Sequence, residues 1–177
     1  MNIFALDPNP KVAANFHCDQ HLNKMILEAA QMACTVAHMR GTTLRDMPFA
    51  YRPTHASHPC TKWLASSNWN LVWLLDMATE LDYIRQFVFG STEHASLAVL
   101  RETVWMLAIH EVAELPGEWE NWKDKVTPFV RAMPEQFKIM KVPDHVAYRE
   151  YYRHKNEQWG NTMTWKHRGR PDWMGGV

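Results

Sequence analysis

The sequence predicts a mostly α-helical fold, a single-domain helical bundle with long irregular loops, on three observations. Apolar residues return every three or four positions through long stretches. Prolines gather between those stretches, and glycine is scarce. Alternating strand-type patterning is nearly absent. A chain of 177 residues is long enough to bury about two-thirds of its unfolded surface in one compact domain. Nine Trp and eleven Met point to large side chains packed between helices.

Met1 to Leu6 is a short apolar segment, read as extended, and Asp7-Pro8-Asn9-Pro10 is a turn leading into a first helix from Lys11 or Val12. The stretch from His17 to Ala37 reads as a core helix. Gly41 to Pro59 is a loop, because Pro48, Pro53 and Pro59 prevent a continuous helix. A second helix is expected from about Thr61 to Phe89, with Gly90 as its stop. Ser91 caps a third helix running to about Leu115, before Pro116-Gly117. Glu118 to Pro143 is irregular and rich in Trp and Pro. Asp144 caps a fourth helix through Tyr148, Tyr151, Tyr152 and Lys155, opening a basic, aromatic C-terminal part that spans about 144–177.

There is no charged and apolar leader, no run of 18 apolar residues, no low-complexity tract and no fixed-period repeat, so a soluble cytoplasmic protein with no membrane partner is expected. Cys18, Cys34 and Cys60 have no C-x-x-C spacing and are odd in number, which argues for reduced thiols. The formal net charge is zero, but Met1–Lys62, Trp63–Asp124 and Lys125–Val177 carry +2, −7 and +5. That balance argues against tight nonspecific DNA binding and leaves room for a local basic groove.

Five polar side chains, His17, His21, Lys24, Glu28 and Gln31, recur at spacings of 4, 3, 4 and 3 and so share one stripe of the His17–Ala37 helix. Leu22, Met25, Ile26, Ala29, Met32, Ala33 and Val36 fill the remainder, which leaves no ordinary solvated face. The stripe offers imidazoles, an amine, a carboxylate and an amide, groups that exchange protons or hold a substrate. It reads as the wall of a site. Lys24 and Glu28 also have the i,i+4 spacing of a surface ion pair worth about 0.3 kcal/mol.

Three other constellations carry chemistry. His55, His58 and Cys60, with His17, Cys18 and His21, have metal-compatible side chains, but the spacing matches no standard zinc pattern, and neither metal nor cofactor is expected; the His55–Cys60 loop is expected instead to join the first and second helices in the site, with Gln31, His55 and His58 among its DNA contacts. Ser66, Asn70 and Trp73 put a hydroxyl and an amide beside an indole on the second helix, a combination suited to an extruded base; Trp73 fits a core position equally well. Tyr148 to Lys155 and Trp165 to Trp173 interleave aromatic rings with basic side chains, among them Arg149 and Arg153, that can contact phosphates.

The segment D-Q-H-L-x-x-x-x-x-E, Asp19 to Glu28, resembles the first helix of the small pyrimidine-dimer DNA glycosylases of the endonuclease V type, and Y-R-E-Y-Y from Tyr148 is similar to their aromatic end. D-x-H-x-x-K-M-x-x-E-x-x-Q, T-H-x-x-H-P-C-x-x-W, M-P-E-Q-F-K from Met133, A-Y-R-x-Y-Y and P-D-W extend the resemblance to phage and bacterial proteins commonly assigned to that family. It implies a DNA-repair glycosylase and lyase acting on duplex DNA with an extruded nucleotide, in the cytoplasm of a bacterial cell. Glu28 would be the acid/base and His21 a DNA contact. The family nucleophile is the α-amine exposed when the initiator Met is removed. Here Met1-Asn2 disfavours removal, the start lies five residues further upstream of the helix motif, and Leu27 and Gln31 stand where positive charge is expected.

The candidate amines are therefore that of Met1 and Nζ of Lys24, one turn before Glu28. A pocket that desolvated the Lys24 ammonium would lower its pKa and make it a nucleophile. The same pocket suits two other readings: an enzyme that modifies a thymine-derived base or nucleotide, and a noncatalytic module that binds a nucleotide or a protein.

Overall fold

The computed structural model describes residues 2–113 and 119–175. Among them are seven α-helices, α1 (Pro10–Phe16), α2 (Asp19–Met39), α3 (Pro59–Ser66), α4 (Asn68–Phe89), α5 (Ala95–Ala113), α6 (Glu135–Lys138) and α7 (Asp144–Gln158), with three 3-10 turns and no strand. The fold is mostly helical, as the sequence predicts. No helix among the described residues is long and apolar enough to cross a membrane.

Helix α2 packs on α3, α4 and α5, and α1 lies along α4. Ala29, Ala30, Ala33 and Ala37 are all buried on α2 and keep its surface low, so that neighbouring backbones approach closely. Continuous with this bundle are the N-terminal segment, where Ile3, Phe4, Ala5 and Leu6 are all buried, and Ala147, Tyr148 and Tyr152 of α7.

The helix expected from His17 begins instead at Asp19. His17 ends α1 and both it and Cys18 have extended backbone, with ψ of 138° and 161°. Long-range partners explain the break: the Cys18 amide donates to the Tyr152 hydroxyl at 3.0 Å and the Asp19 amide to the Thr164 carbonyl at 2.8 Å. Donors that would otherwise be orphaned at a helix start are thus satisfied from outside it. Upstream, α1 starts earlier than expected, at Pro10, because the Asn9 side chain accepts from the Lys11 and Val12 amides and Pro suits the first helical turn.

The second expected helix is two. Ser67 is extended at φ −155° and its hydroxyl accepts from the Trp69 amide, ending α3 and capping α4 in one residue. Gly90 closes α4 in the left-handed conformation at φ 61°. Ser91 does not cap α5. The helix starts at Ala95, and His94 Nδ1 accepts from the Ser96 amide at 3.1 Å, while the expected end at Leu115 lies outside the described residues. Pro143 rather than Asp144 occupies the cap position of α7, and Asp144 instead receives Arg131 Nε at 2.7 Å.

The C-terminal tail folds back on the start of α2. Asp19 accepts from Thr164 Oγ1 at 2.9 Å, the Lys166 amide at 2.7 Å and Arg168 Nη2 at 2.7 Å. Trp165 Nε1 donates to the Phe16 carbonyl at 3.1 Å. Asp19→Ala leaves the Arg168 guanidinium, whose side chain is 11% exposed, without its counter-charge, so urea unfolding should show a loss of about 3 kcal/mol. A loss below about 1 kcal/mol, the worth of an exposed pair, would show that the tail is not held by this carboxylate.

Candidate active site

Helix α2, α7 and the N-terminal segment enclose a pocket of about 140 Å³ lined by Asn2, Phe4, His21, Lys24, Met25, Glu28, Tyr151 and Lys155. The volume is well below the roughly 300 Å³ of a typical small-molecule site, which limits it to a single ring or sugar. The α2 stripe thus supplies three of its polar walls. Gln31 lies a turn beyond them, half-buried.

Glu28 is the centre of the pocket's hydrogen bonding. Its Oε2 accepts the backbone N–H of Asn2 at 2.8 Å, and its Oε1 is 3.8 Å from Lys24 Nζ. The irregular stretch before α7 fixes Asn2 in turn. The Tyr148 hydroxyl donates to the Val130 carbonyl at 2.7 Å and accepts from the Ala132 amide at 3.2 Å, and the Ala132 carbonyl receives Asn2 Nδ2 at 2.9 Å. The carboxylate side chain is 12% exposed and therefore reachable only through the pocket.

The two lysines differ. The Lys24 side chain is 59% exposed, so the desolvation expected to make it a nucleophile is not what its surroundings provide. Lys155, from α7, is half-buried, with Nζ 5.0 Å from the Trp159 ring centre and 6.0 Å from that of Tyr151. Burial first, and then repulsion from Lys24, push its pKa down against the opposing pull of Glu28. Lys155 is the amine that reading the stripe alone misses. The signal for it was the i,i+4 pair Tyr151 and Lys155, which places ring and amine on one face of α7. Met1, the other candidate amine, lies outside the described residues.

His21 is buried, its ring stacked on Phe4 at 5.2 Å and 15°, and its Nδ1 lies 2.6 Å from the Tyr152 hydroxyl. Burial, with His17, Lys155 and Lys24 around it, holds its pKa down to about 2. His17 has left the stripe for the core, where its Nδ1 hydrogen-bonds the Ala13 carbonyl at 2.7 Å and burial brings its pKa to about 4.

The remaining expected contacts are placed elsewhere. Ser66, Asn70 and Trp73 do not form an open base pocket. Asn70 is fully buried and latches the 122–133 stretch, donating to the Trp63 carbonyl at 2.7 Å and Thr127 Oγ1 at 2.8 Å and accepting the Thr127 amide at 3.1 Å. The Ser66 hydroxyl donates to the Trp63 carbonyl at 2.7 Å, and Trp73 is core, its Nε1 donating to the Pro8 carbonyl at 2.7 Å. Arg149 is tied to the Leu6 carbonyl at 2.7 Å and Asp7 at 2.8 Å, and Arg153 to the Trp173 carbonyl at 2.9 Å and Glu150 at 3.0 Å. Both arginines brace the chain rather than present a free fork to phosphate.

His58 caps α3, its Nδ1 accepting from the Cys60 amide at 3.2 Å, and exposed His55 bonds Thr54 at 2.6 Å. Cys60 is buried, with its pKa raised to about 11 by that burial. All three cysteines are free and buried, and no three His, Cys, Asp or Glu side chains among the described residues form a metal-sized group. A larger open cleft of about 350 Å³ runs past Pro8, Thr127, Phe129 and His145, but its carboxylate, Asp144, is bound to Arg131.

Compared with family models, curated proteins and solved structures, the chain has no match.

The buried histidines make stability acid-sensitive. An imidazole held neutral in the fold down to about 4 titrates near 6.5 once unfolded, so the unfolded chain binds the extra proton and stability falls as pH drops through that interval. At about 1.4 kcal/mol per pH unit, His17 alone should remove about 3 kcal/mol. Urea midpoints between pH 6.5 and about 4 should fall steeply for the wild type and less for His17→Gln, which keeps a donor for Ala13. Equal slopes would show that His17 does not carry the effect.

Proposed function

We propose that this protein is a DNA-repair glycosylase and AP lyase acting on damaged pyrimidines, with an amine as nucleophile and Glu28 as acid/base. The observation that carries the reading is the meeting of one sheltered carboxylate and an amine depressed by burial in a pocket the size of a single ring. The resemblance of Asp19–Glu28 to the helix of the pyrimidine-dimer glycosylases supports the reaction class, and Glu28 occupies the matching position.

The chemistry needs three things of these residues. Neutral Nζ of Lys155 attacks C1′ of the damaged nucleotide, the bond from C1′ to the base breaks, and the departing base keeps the electron pair and takes a proton from the Glu28 carboxyl group. The attacking nitrogen then gives one of its two protons to the Glu28 carboxylate, its lone pair breaks the bond from C1′ to the ring oxygen, which takes that proton back from Glu28, and a protonated imine between Nζ and C1′ remains. The Glu28 carboxylate then removes a proton from C2′, and the electron pair expels the 3′ phosphate, nicking the strand. Water releases the amine. Lys24 beside the carboxylate supplies positive charge for a phosphate oxygen, and half-exposed Trp159, next to Lys155, offers a ring for a neighbouring base. DNA is the partner in this reading, with one nucleotide extruded from the duplex.

Borohydride trapping on duplexes carrying a thymine dimer or an abasic site tests it. A covalent adduct is expected with the wild type. Glu28→Gln should keep its fold and lose nicking by at least about 100-fold, the usual contribution of a positioned acid/base. Mapping the adduct to Lys155, with its loss in Lys155→Met and persistence in Lys24→Met, would identify the amine. An adduct mapped to the chain start would keep the reaction and move the nucleophile to the α-amine. Absence of adduct and nicking on both duplexes would sink the reading, and a substrate strand left intact but heavier would replace it with base modification.

A further inference from the structure

Behind the pocket wall, the Tyr152 hydroxyl joins three groups. It accepts the Cys18 backbone N–H at 3.0 Å, lies 3.2 Å from Cys18 Sγ and lies 2.6 Å from His21 Nδ1. A phenol has one proton to give and two lone pairs to fill. The proton therefore goes either to the imidazole nitrogen or to the sulfur. A neutral imidazole nitrogen is a strong acceptor and a thiol sulfur a weak one, and the shorter contact is to the imidazole. With the proton on that bond, the Cys18 N–H fills one lone pair of the phenol oxygen, and the sulfur, the weaker of the two acceptors, is left as a neighbour at 3.2 Å.

We propose that Tyr152 is a positioning residue: its hydroxyl donates to His21 Nδ1 and locks His21 as the neutral tautomer that offers Nε2–H to the pocket as a hydrogen-bond donor. The arrangement is independent of the reaction proposed for the pocket. Phe4 stacks on one side of the ring, and the Trp159 and Tyr152 rings meet it edge-on at 5.4 and 5.2 Å, so it cannot turn to exchange its nitrogens. The ionisable groups facing it are His17 at the end of α1, Lys24 and Glu28 on its own helix, Cys18 before that helix, and Lys155 and Tyr152 on α7. Three of these, His17, Lys155 and Lys24, oppose a second proton. His21 is then a donor and not a base. Together with the ammonium group of Lys24 it makes one side of the pocket a receptor for an anionic oxygen such as that of a phosphodiester, while Glu28 is left to move protons.

Long-range 1H–15N correlation of the imidazole rings in the full-length 15N-labelled chain tests this, with His21 assigned from the signals lost in His21→Asn. The wild type should show a pyridine-type Nδ1 and a pyrrole-type Nε2 for His21, unmoved from about pH 8 to about pH 5. Tyr152→Phe should collapse this pattern, moving the two nitrogen shifts toward each other as the tautomers mix. Cys18→Ala, which removes the competing sulfur, should leave it intact. A pyrrole-type Nδ1 in the wild type, a ring that titrates within that range, or a folded Tyr152→Phe with an unchanged pattern would each overturn the proposal. Should Tyr152→Phe fail to fold, the wild-type and Cys18→Ala spectra decide it alone.

Discussion

The rest of the molecule depends on the Tyr152 hydroxyl reaching across 134 residues of sequence to take the backbone amide of Cys18. That bond gives a partner to a donor at a place where an apolar, helix-forming sequence breaks. Without the bend, α1 and α2 would run on as a single rod, His17 would stay on the polar stripe, and the N-terminal segment would have no gap to enter. With it, α2 restarts in a new direction, and Phe4 sits among His21, Tyr151 and Tyr152 with ring centres 5.2, 5.9 and 5.2 Å away. The pocket exists because three separate parts of the chain meet at that bend.

Two layers of polar order lie on the two sides of the wall. On the pocket side, Asn2, Lys24, Glu28 and Lys155 are reachable by solvent or a ligand. On the core side, His17, Cys18 and Tyr152 are buried and uncharged. His21 belongs to both, one nitrogen committed inward and its ring lining the cavity. Charge is thus confined to the pocket, where an exposed face can solvate it or a substrate can neutralise it, and excluded from the interior, where desolvation would be costly.

The helical class, the polar stripe and its Lys24–Glu28 pair were legible because they depend on local periodicity and on spacing within one helix. The break at His17 was not, because local pattern favours continuing the helix and the deciding bond comes from Tyr152 and Thr164 far along the chain. The same limit applies to Asn70 and Trp73. An amide and an indole one turn apart look alike whether they face a base or a loop, and only the position of Thr127 and Pro8 distinguishes the two. Arg149 and Arg153 looked like phosphate contacts because their partners, Leu6, Asp7 and Trp173, are distant or irregular in sequence. Lys155 was passed over as one more basic side chain able to contact phosphate, because the pocket it shares with Asn2, Phe4, His21 and Glu28 joins parts of the chain far apart in sequence.

The bond from the Asn2 amide to Glu28 makes residue 2 part of the pocket wall. Any peptide fused ahead of residue 2 therefore leaves the fold within hydrogen-bonding distance of the carboxylate. An affinity tag placed there starts at the cavity wall, so ligand binding measured on a tagged preparation reports on the tag as well as on the pocket.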